Sequence, residues 1–218
     1  MPSPTTTARK PAALPSSEEI ARAIVQGLEA GEFAPGQRLV EADLCLRFGV
    51  GRQAVREALQ RLKMVGVVDI VPNRGAHILH MTPEQAALTL EVTELLFGLA
   101  ARTAARRIAA GSGTATLEHA IGELDACADG AAAVDYMRAR RHLFGALAQI
   151  ADNPELTRLL DQTRVHVLRG QFGFAGLRQD HARELAAIGR LVLAGQCAEA
   201  EAQARAHVER IRLHLERI

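Results

Sequence analysis

Between residues 83 and 218 the sequence never alternates apolar and polar residues in the period-two manner of a strand; apolar residues recur instead at three- and four-residue spacing, segment after segment. That pattern excludes a β-rich second half and leaves an antiparallel helical bundle. The spacing predicts helices over 83–110, 114–128, 132–151, 154–169, 179–194 and 198–217. The breaks fall at Gly111-Ser112-Gly113, Asp129-Gly130, Asp152-Asn153-Pro154, Gly170–Gly176 and Gly195. Aromatic residues make up only 3% of the chain and Trp is absent, so these helices must pack through aliphatic side chains, chiefly Ala and Leu. The stretch Gly170–Gly176, with Phe172 and Phe174, is too glycine-rich for a helix interior and reads either as a mobile lid or as a long connection.

The first part of the chain is organised differently. Residues 1–15 mix Pro, Ser, Thr and Ala and are expected to form a disordered leader. Ser16-x-x-Glu19 then reads as a capping box, followed by Ile20, Ala23, Ile24 and Leu28 at helical spacing and a stop near Gly31. Pro35-Gly36 marks a turn, and a short helix carries Leu44 and Phe48 on one face. After the tight turn Gly49-Val50-Gly51, a third helix runs from Arg52 to about Val65. Past Gly66 the pattern becomes a hairpin: Val67, Val68, Ile70 and Val71, then the turn Pro72-Asn73-Arg74-Gly75, then Ala76 to Leu79. Thr82, Pro83 and Gln85 form a second strong helix start, which places a boundary at 80–83 between a unit at 16–80 and a helical unit at 83–218.

Charge and cysteine usage limit the function classes. The net charge is only +1, divided as +2 over residues 1–80 (10 Lys/Arg, 8 Asp/Glu) and −1 over the remainder, so the chain is no basic nucleic-acid coat. Cys45, Cys127 and Cys197 are odd in number and lack a CxxC spacing; each is expected to be a small buried hydrophobe in a reducing, cytoplasmic setting. The proline-rich N-terminus has no apolar core for a signal peptide, and the longest apolar stretch, Leu95–Ala101, is far too short to span a bilayer. The sequence contains no GxxxxGK[ST], HExxH, GxSxG or paired ExxH motif, and Cys127 has no identifiable His positioned to activate it.

Helix, short helix, tight turn, helix and hairpin is the element order of a winged helix-turn-helix, in which the helix after the turn enters the DNA major groove by its N-terminal residues. Val55, Ala58, Leu59 and Leu62 line the face that would pack on the first two helices, and Arg52, Gln53 and Arg56 fall on the opposite side. Arg and Gln are suited to guanine and adenine edges through paired hydrogen bonds. Arg38, Arg61 and Lys63 read as phosphate contacts or solvated charges, and Arg74 at the hairpin tip is placed to enter a minor groove. Two arginines on one helix are ordinarily just a solvated face; the surrounding element order gives them a DNA-reading role.

The stretch Gly31 to Leu39 (GEFAPGQRL), Gly49 to Leu62 (GVGRQAVREALQRL) and Pro72 to Ala76 (PNRGA) closely resembles the N-terminal domain of GntR-family regulators, whose pattern is a PGxxL turn, then GVSRxPVREALxRLxxxG, then PxxG at the wing. The resemblance covers nearly all of residues 17–80. It implies that Arg52 and Arg56 are DNA-contacting residues of the recognition helix and that Arg74 and Gly75 form the wing tip. Gly51 and Ala54 depart from the pattern, which usually has Ser or Thr and then Pro or Thr; the missing hydroxyl removes a helix N-cap. The tail Gly195 to Ile211 and the stretch Asn153 to Leu156 resemble the FadR-type ligand-binding (FCD) domain of the same family, with a looser likeness over 84–130.

Many FCD domains bind a divalent metal through one Asp and three His, and the metal ligates a carboxylate effector. Carried over position by position, the Asp place is Arg140, its His partner is Phe144 and the next His place is Leu185; only His207 is retained. The expectation is therefore no metal, with His207, His181 and His142 as the ligands if one binds. Arg140 shares a helical phase with Phe144 and Leu147 and should point inward, where a guanidinium needs a partner. That partner is either an anionic effector gripped in bidentate fashion or an internal acid such as Glu94 or Glu91. The candidate effector residues are Arg140, His207 and His181.

These readings lead to a cytoplasmic, homodimeric transcriptional regulator, expected to be a repressor, that binds operator DNA and responds to a small organic acid. The competing readings are a DNA-binding dimer with an effector-free helical domain, and an enzyme housed in the bundle. The enzyme reading leaves residues 17–80 without a purpose.

Overall fold

A computed structural model of the chain describes residues 14–172 and 178–215. The predicted leader and the centre of the glycine-rich stretch at 173–177 lie largely outside them. Helix α1 (Ser17–Ala30) opens on the expected capping box of Ser16 and Glu19 and closes on Gly31 in the left-handed conformation. It buries Ile20, Ile24 and Leu28. Against this face packs α3 (Arg52–Met64), through Val55, Ala58, Leu59 and Leu62, and α2 (Glu41–Phe48), with Leu44 buried, packs on α3.

The hairpin comprises β2 (Val68–Val71) and β3 (Gly75–Ile78), paired antiparallel with Val71 opposite Gly75. Its turn places Asn73 at φ 62° and Gly75 at φ 82°, positive values that Asn and Gly tolerate best. The sheet has a third strand that sequence patterning did not predict: β1 (Arg38–Leu39) pairs with β3 to give the order β1-β3-β2. Two residues are too few to display alternation, and Leu39 alone turns inward.

The bundle contains α4 (Pro83–Ala109), α5 (Ala115–Cys127), α6 (Ala133–Ala151), α7 (Pro154–Asp161), α8 (Val165–Phe172), α9 (Arg178–Leu193) and α10 (Cys197–Leu215). Helix α4 starts on the capping box of Thr82 and Gln85. Its Ala101, Ala104 and Ala105 and the Ala200 and Ala204 of α10 are all completely buried, and side chains this small let the two longest-paired helices approach closely. Of the three cysteines only Cys127 is fully buried; Cys45 and Cys197 are half-buried, which corrects the expectation for those two.

One predicted helix is two. The segment expected as 154–169 divides at Arg164, which adopts φ 54°, so that α8 leaves in a new direction and continues through Gly170 to Phe172. Gly170 is helical after all, because its missing side chain is what lets α8 meet α1: a Cβ there would lie 2.7 Å from the Leu28 side chain. The next residue, Gln171, donates to the Met81 carbonyl and accepts from the Met81 N–H at 2.8 Å, fastening α8 to the segment that precedes α4.

Candidate functional site

Two regions carry chemistry. The first is the exposed side of α3. Arg52 is its first residue and, with Gln53 and Arg56, faces solvent in the first two turns. Gly51 caps the helix without any side-chain hydrogen bond. Gln53 donates to Glu57, and the Arg56 Nε lies 3.0 Å from a carboxylate oxygen of Glu41 on α2. Glu41 is a residue sequence reasoning missed: its carboxylate partly neutralises Arg56. At the wing, Arg74 is exposed at the tip, and the guanidinium of Arg38 on β1 lies against Gly75.

The second region is a cavity of about 140 Å³ inside the bundle, close to the roughly 150 Å³ that accommodates benzene in an apolar protein interior. Leu90, Phe97, Met137, Phe144, Leu168, Val208 and Ile211 give it apolar walls. Its polar lining comprises Glu29, Thr93, Tyr136, Arg140, Arg169, Arg178, His181 and His207. Helical phase puts Arg140 inward, and the residue is 6% exposed, with its guanidinium 5.5 Å from the centre of the Phe144 ring. Its partner is neither Glu94 nor Glu91. Glu94 is occupied by Arg205 of α10 at 3.0 Å, and the carboxylate on Arg140 is that of Glu29, from α1, at 3.1 Å.

Glu29 joins three elements in the cavity wall, α1, α6 and α8. Its side chain is 4% exposed, and one oxygen, Oε1, meets the Arg140 guanidinium, the His166 Nδ1 at 2.8 Å and the Arg169 guanidinium at 3.8 Å. Burial on its own would raise the Glu29 carboxyl. The His166 hydrogen bond and the charges of Arg140, His166 and Arg169 overcome it and hold the group at about 2. Burial, with the neighbouring Arg140, pushes Arg169 down to about 9, so it remains cationic at neutral pH.

His181 and His207 stand together, with ring centroids 5.1 Å apart. Burial and the adjacent His207 lower His181 to about 4; burial also lowers His207, against the opposing pull of Glu184, whose carboxylate lies 2.6 Å from its Nδ1. Both rings are therefore neutral at pH 7. Counting without gaps had pointed to Leu185; the helix turns His181, one turn earlier, to His207, while Leu185 is completely buried in the core.

The sequence profile of the bacterial regulatory proteins of the gntR family matches residues 16–78, and that of the FCD domain matches residues 89–210, more than half of the chain. The chain belongs to the GntR family and carries an FCD domain. A segment of 79 residues is 34% identical to an HTH-type transcriptional regulator from the TAR-I ttuE-ttuC' intergenic region of Agrobacterium vitis, and spans 36% of this chain and 46% of that protein. A segment of 64 residues is 36% identical to the HTH-type transcriptional repressor RspR of Escherichia coli K12, across 29% of this chain and 28% of RspR. These matched segments thus span less than half of either curated relative. Among solved structures, McbR/YncC of E. coli superposes with a TM-score of 0.73 over 93% of this chain and 98% of its own, at 19% identity. A GntR regulator from Rhodococcus sp. RHA1 gives 0.65 over 91% and 96%, at 20% identity.

The metal arrangement common in FCD domains does not fit these residues. Arg140 and Phe144 stand at two of the four ligand places, and the cavity lining holds three guanidiniums, of Arg140, Arg169 and Arg178, against the one carboxylate of Glu29. A divalent cation would meet repulsion where it needs an anionic ligand. His142 is not part of the cavity wall: it lies two residues on from Arg140, on the outer face of α6, with its Nδ1 2.5 Å from Glu123 of α5. There it joins His119 and Glu123 in a group whose ligand atoms lie within 4.8 Å of one another, with Arg138 3.6 Å from the same carboxylate. The set His207, His181 and His142 is thereby separated into two places.

Among the described residues no helix is long and apolar enough to cross a membrane.

Proposed function

We propose that this GntR-family chain is a homodimeric transcriptional repressor whose hold on operator DNA is released when a small organic acid enters the FCD cavity. The observation that carries this reading is the charge of the cavity: three guanidiniums and one carboxylate, with two neutral imidazoles, inside apolar walls. An anionic group of the effector would offset part of this positive excess, paired to Arg140 and its neighbours, while Phe97, Phe144 and Leu168 enclose its apolar body. The cavity's volume, close to that of one that holds benzene, suits an acid of roughly six to ten non-hydrogen atoms. His181 and His207, as neutral rings, supply further hydrogen-bonding positions.

The DNA half of the proposal rests on Arg52, Gln53 and Arg56 standing free of the core at the tip of α3, with Arg74 and Gly75 at the wing and Arg38 beside them. Dimerisation is supported by α4, where Leu88, Val92 and Leu95 form an apolar stripe at four- and three-residue spacing and are each more than half exposed. Two copies joined there would present two α3 helices to an inverted repeat. The domain limits that go with this reading are 16–80 for DNA binding and 83–218 for effector binding and dimerisation.

The proposal is tested by selecting genomic fragments on the purified protein, then titrating small carboxylates into the complex. Selective retention of one promoter fragment, lost on adding an acid, supports it; retention no better than random duplex removes it. Sedimentation equilibrium of Leu88→Glu checks the dimer surface, with conversion to monomer expected.

A further inference from the structure

We infer that Glu29 is an internal anion seated in the effector's own carboxylate site, and that an incoming acid acts by displacing it. This rests on the reading of the cavity as an anion site and adds the route from that site to the DNA-binding head. Glu29 belongs to α1, whose other side forms the core of the head with α3. Its carboxylate nevertheless lies in the wall of a cavity otherwise built by the bundle, on guanidiniums 111 and 140 positions away in sequence.

An acid bound to Arg140 and Arg169 satisfies the same donors. The arginines stay paired, and Glu29 is left as a buried carboxylate with only the half-buried His166 ring still on it, a state costly enough to expel it into water. Its exit moves the C-terminal turn of α1 away from α8. The three consecutive residues of α8 that meet this point make the movement consequential: Arg169 reaches the cavity, Gly170 lies against Leu28 and Gln171 clasps the Met81 backbone ahead of α4. One displacement therefore loosens both the head's packing on the bundle and the anchor of the interdomain segment, while α1 and α3 remain a unit. A ligand that favours the displaced arrangement shifts the population of head positions toward it.

Calorimetric titration of the full-length protein with benzoate and malonate, using the wild type, Glu29→Gln and Gly170→Ala, tests the inference. Glu29→Gln keeps the shape and removes the competing charge; Gly170→Ala changes no charged group but drives α8 off Leu28, which draws His166 and Arg169 away from Glu29 and weakens its hold by a different means. Both variants should bind at least one of the two acids ten-fold or more tighter than the wild type. If an acid binds wild type and both variants equally, the displacement is refuted and the anion site stands. If neither acid binds any of the three proteins, the anion site and the displacement fall together. Should one variant fail to fold, the other decides between these outcomes.

Discussion

Replacing Arg140 with Ala should destabilise the protein far more than removal of any surface arginine. The guanidinium is 6% exposed, contacts Glu29 at 3.1 Å and covers the Phe144 ring. Its loss leaves the Glu29 carboxylate buried with fewer partners, and breaking a buried pair in this way costs about 3–5 kcal/mol. His166 at 2.8 Å and Arg169 at 3.8 Å remain on the same oxygen, so the lower end, about 3 kcal/mol, applies here. For a chain of this size that corresponds to a fall in Tm of about 6–12 °C. The comparison variant is Arg22→Ala, which removes an exposed pair with Glu18 at 2.7 Å and should cost less than about 1 kcal/mol. Thermal and urea unfolding followed by circular dichroism measure both. If Arg140→Ala melts within about 2 °C of the wild type, the two groups do not depend on each other in the folded chain.

Stability should also fall as the pH drops from about 6.5 toward 4. His181, ordinarily near 6.5, is held at about 4 in the folded chain, so between those values the unfolded chain binds more protons and folding weakens with acid; His207 acts in the same direction. Glu29, held at about 2, gives up its own contribution below about 4.5, and Asp161, pushed up by burial, acts in the opposite sense at the acid end, so the histidine part is assigned by the variant: His181→Phe should flatten the slope of Tm across pH 4.5–7. Arg52→Ala should weaken operator binding by about 1–3 kcal/mol with little change in Tm, measured by fluorescence anisotropy. Gly51→Ser should stabilise the fold by about 0.5–1 kcal/mol in urea denaturation, since its φ of −75° suits any residue, its Cβ meets nothing within 4 Å, and α3 lacks a side-chain cap.

The head is legible in the sequence because its punctuation is local. Ser16 with Glu19, Gly31, the Gly49-Val50-Gly51 turn and Asn73 each specify a backbone conformation within a few residues. Helical phase likewise suffices to turn Arg140 inward. Its partner was not legible, because Glu29 reads as the solvated end of an amphipathic helix until α6 and α8 close over it from more than a hundred residues away. Glu91 and Glu94 were the natural alternatives on the adjoining helix, but Glu94 belongs to Arg205. The α7–α8 break was hidden for a different reason: Arg164 takes a left-handed conformation without the Gly or Asn that usually announces one. Gly170 misled in the opposite sense, since it serves contact with Leu28 rather than helix termination.

Linkage between the two ends of the molecule gives the most direct test. With the selected operator fragment and a carboxylate that binds, the acid's Kd is measured by calorimetry on the free protein and on the DNA-saturated protein, and the operator's Kd with and without saturating acid. Coupling through Glu29 requires the acid to bind the DNA complex more weakly than the free protein, by the same factor as it weakens DNA binding, and requires that factor to collapse in Glu29→Gln. Equal affinity of the acid for free and operator-bound protein would contradict the account.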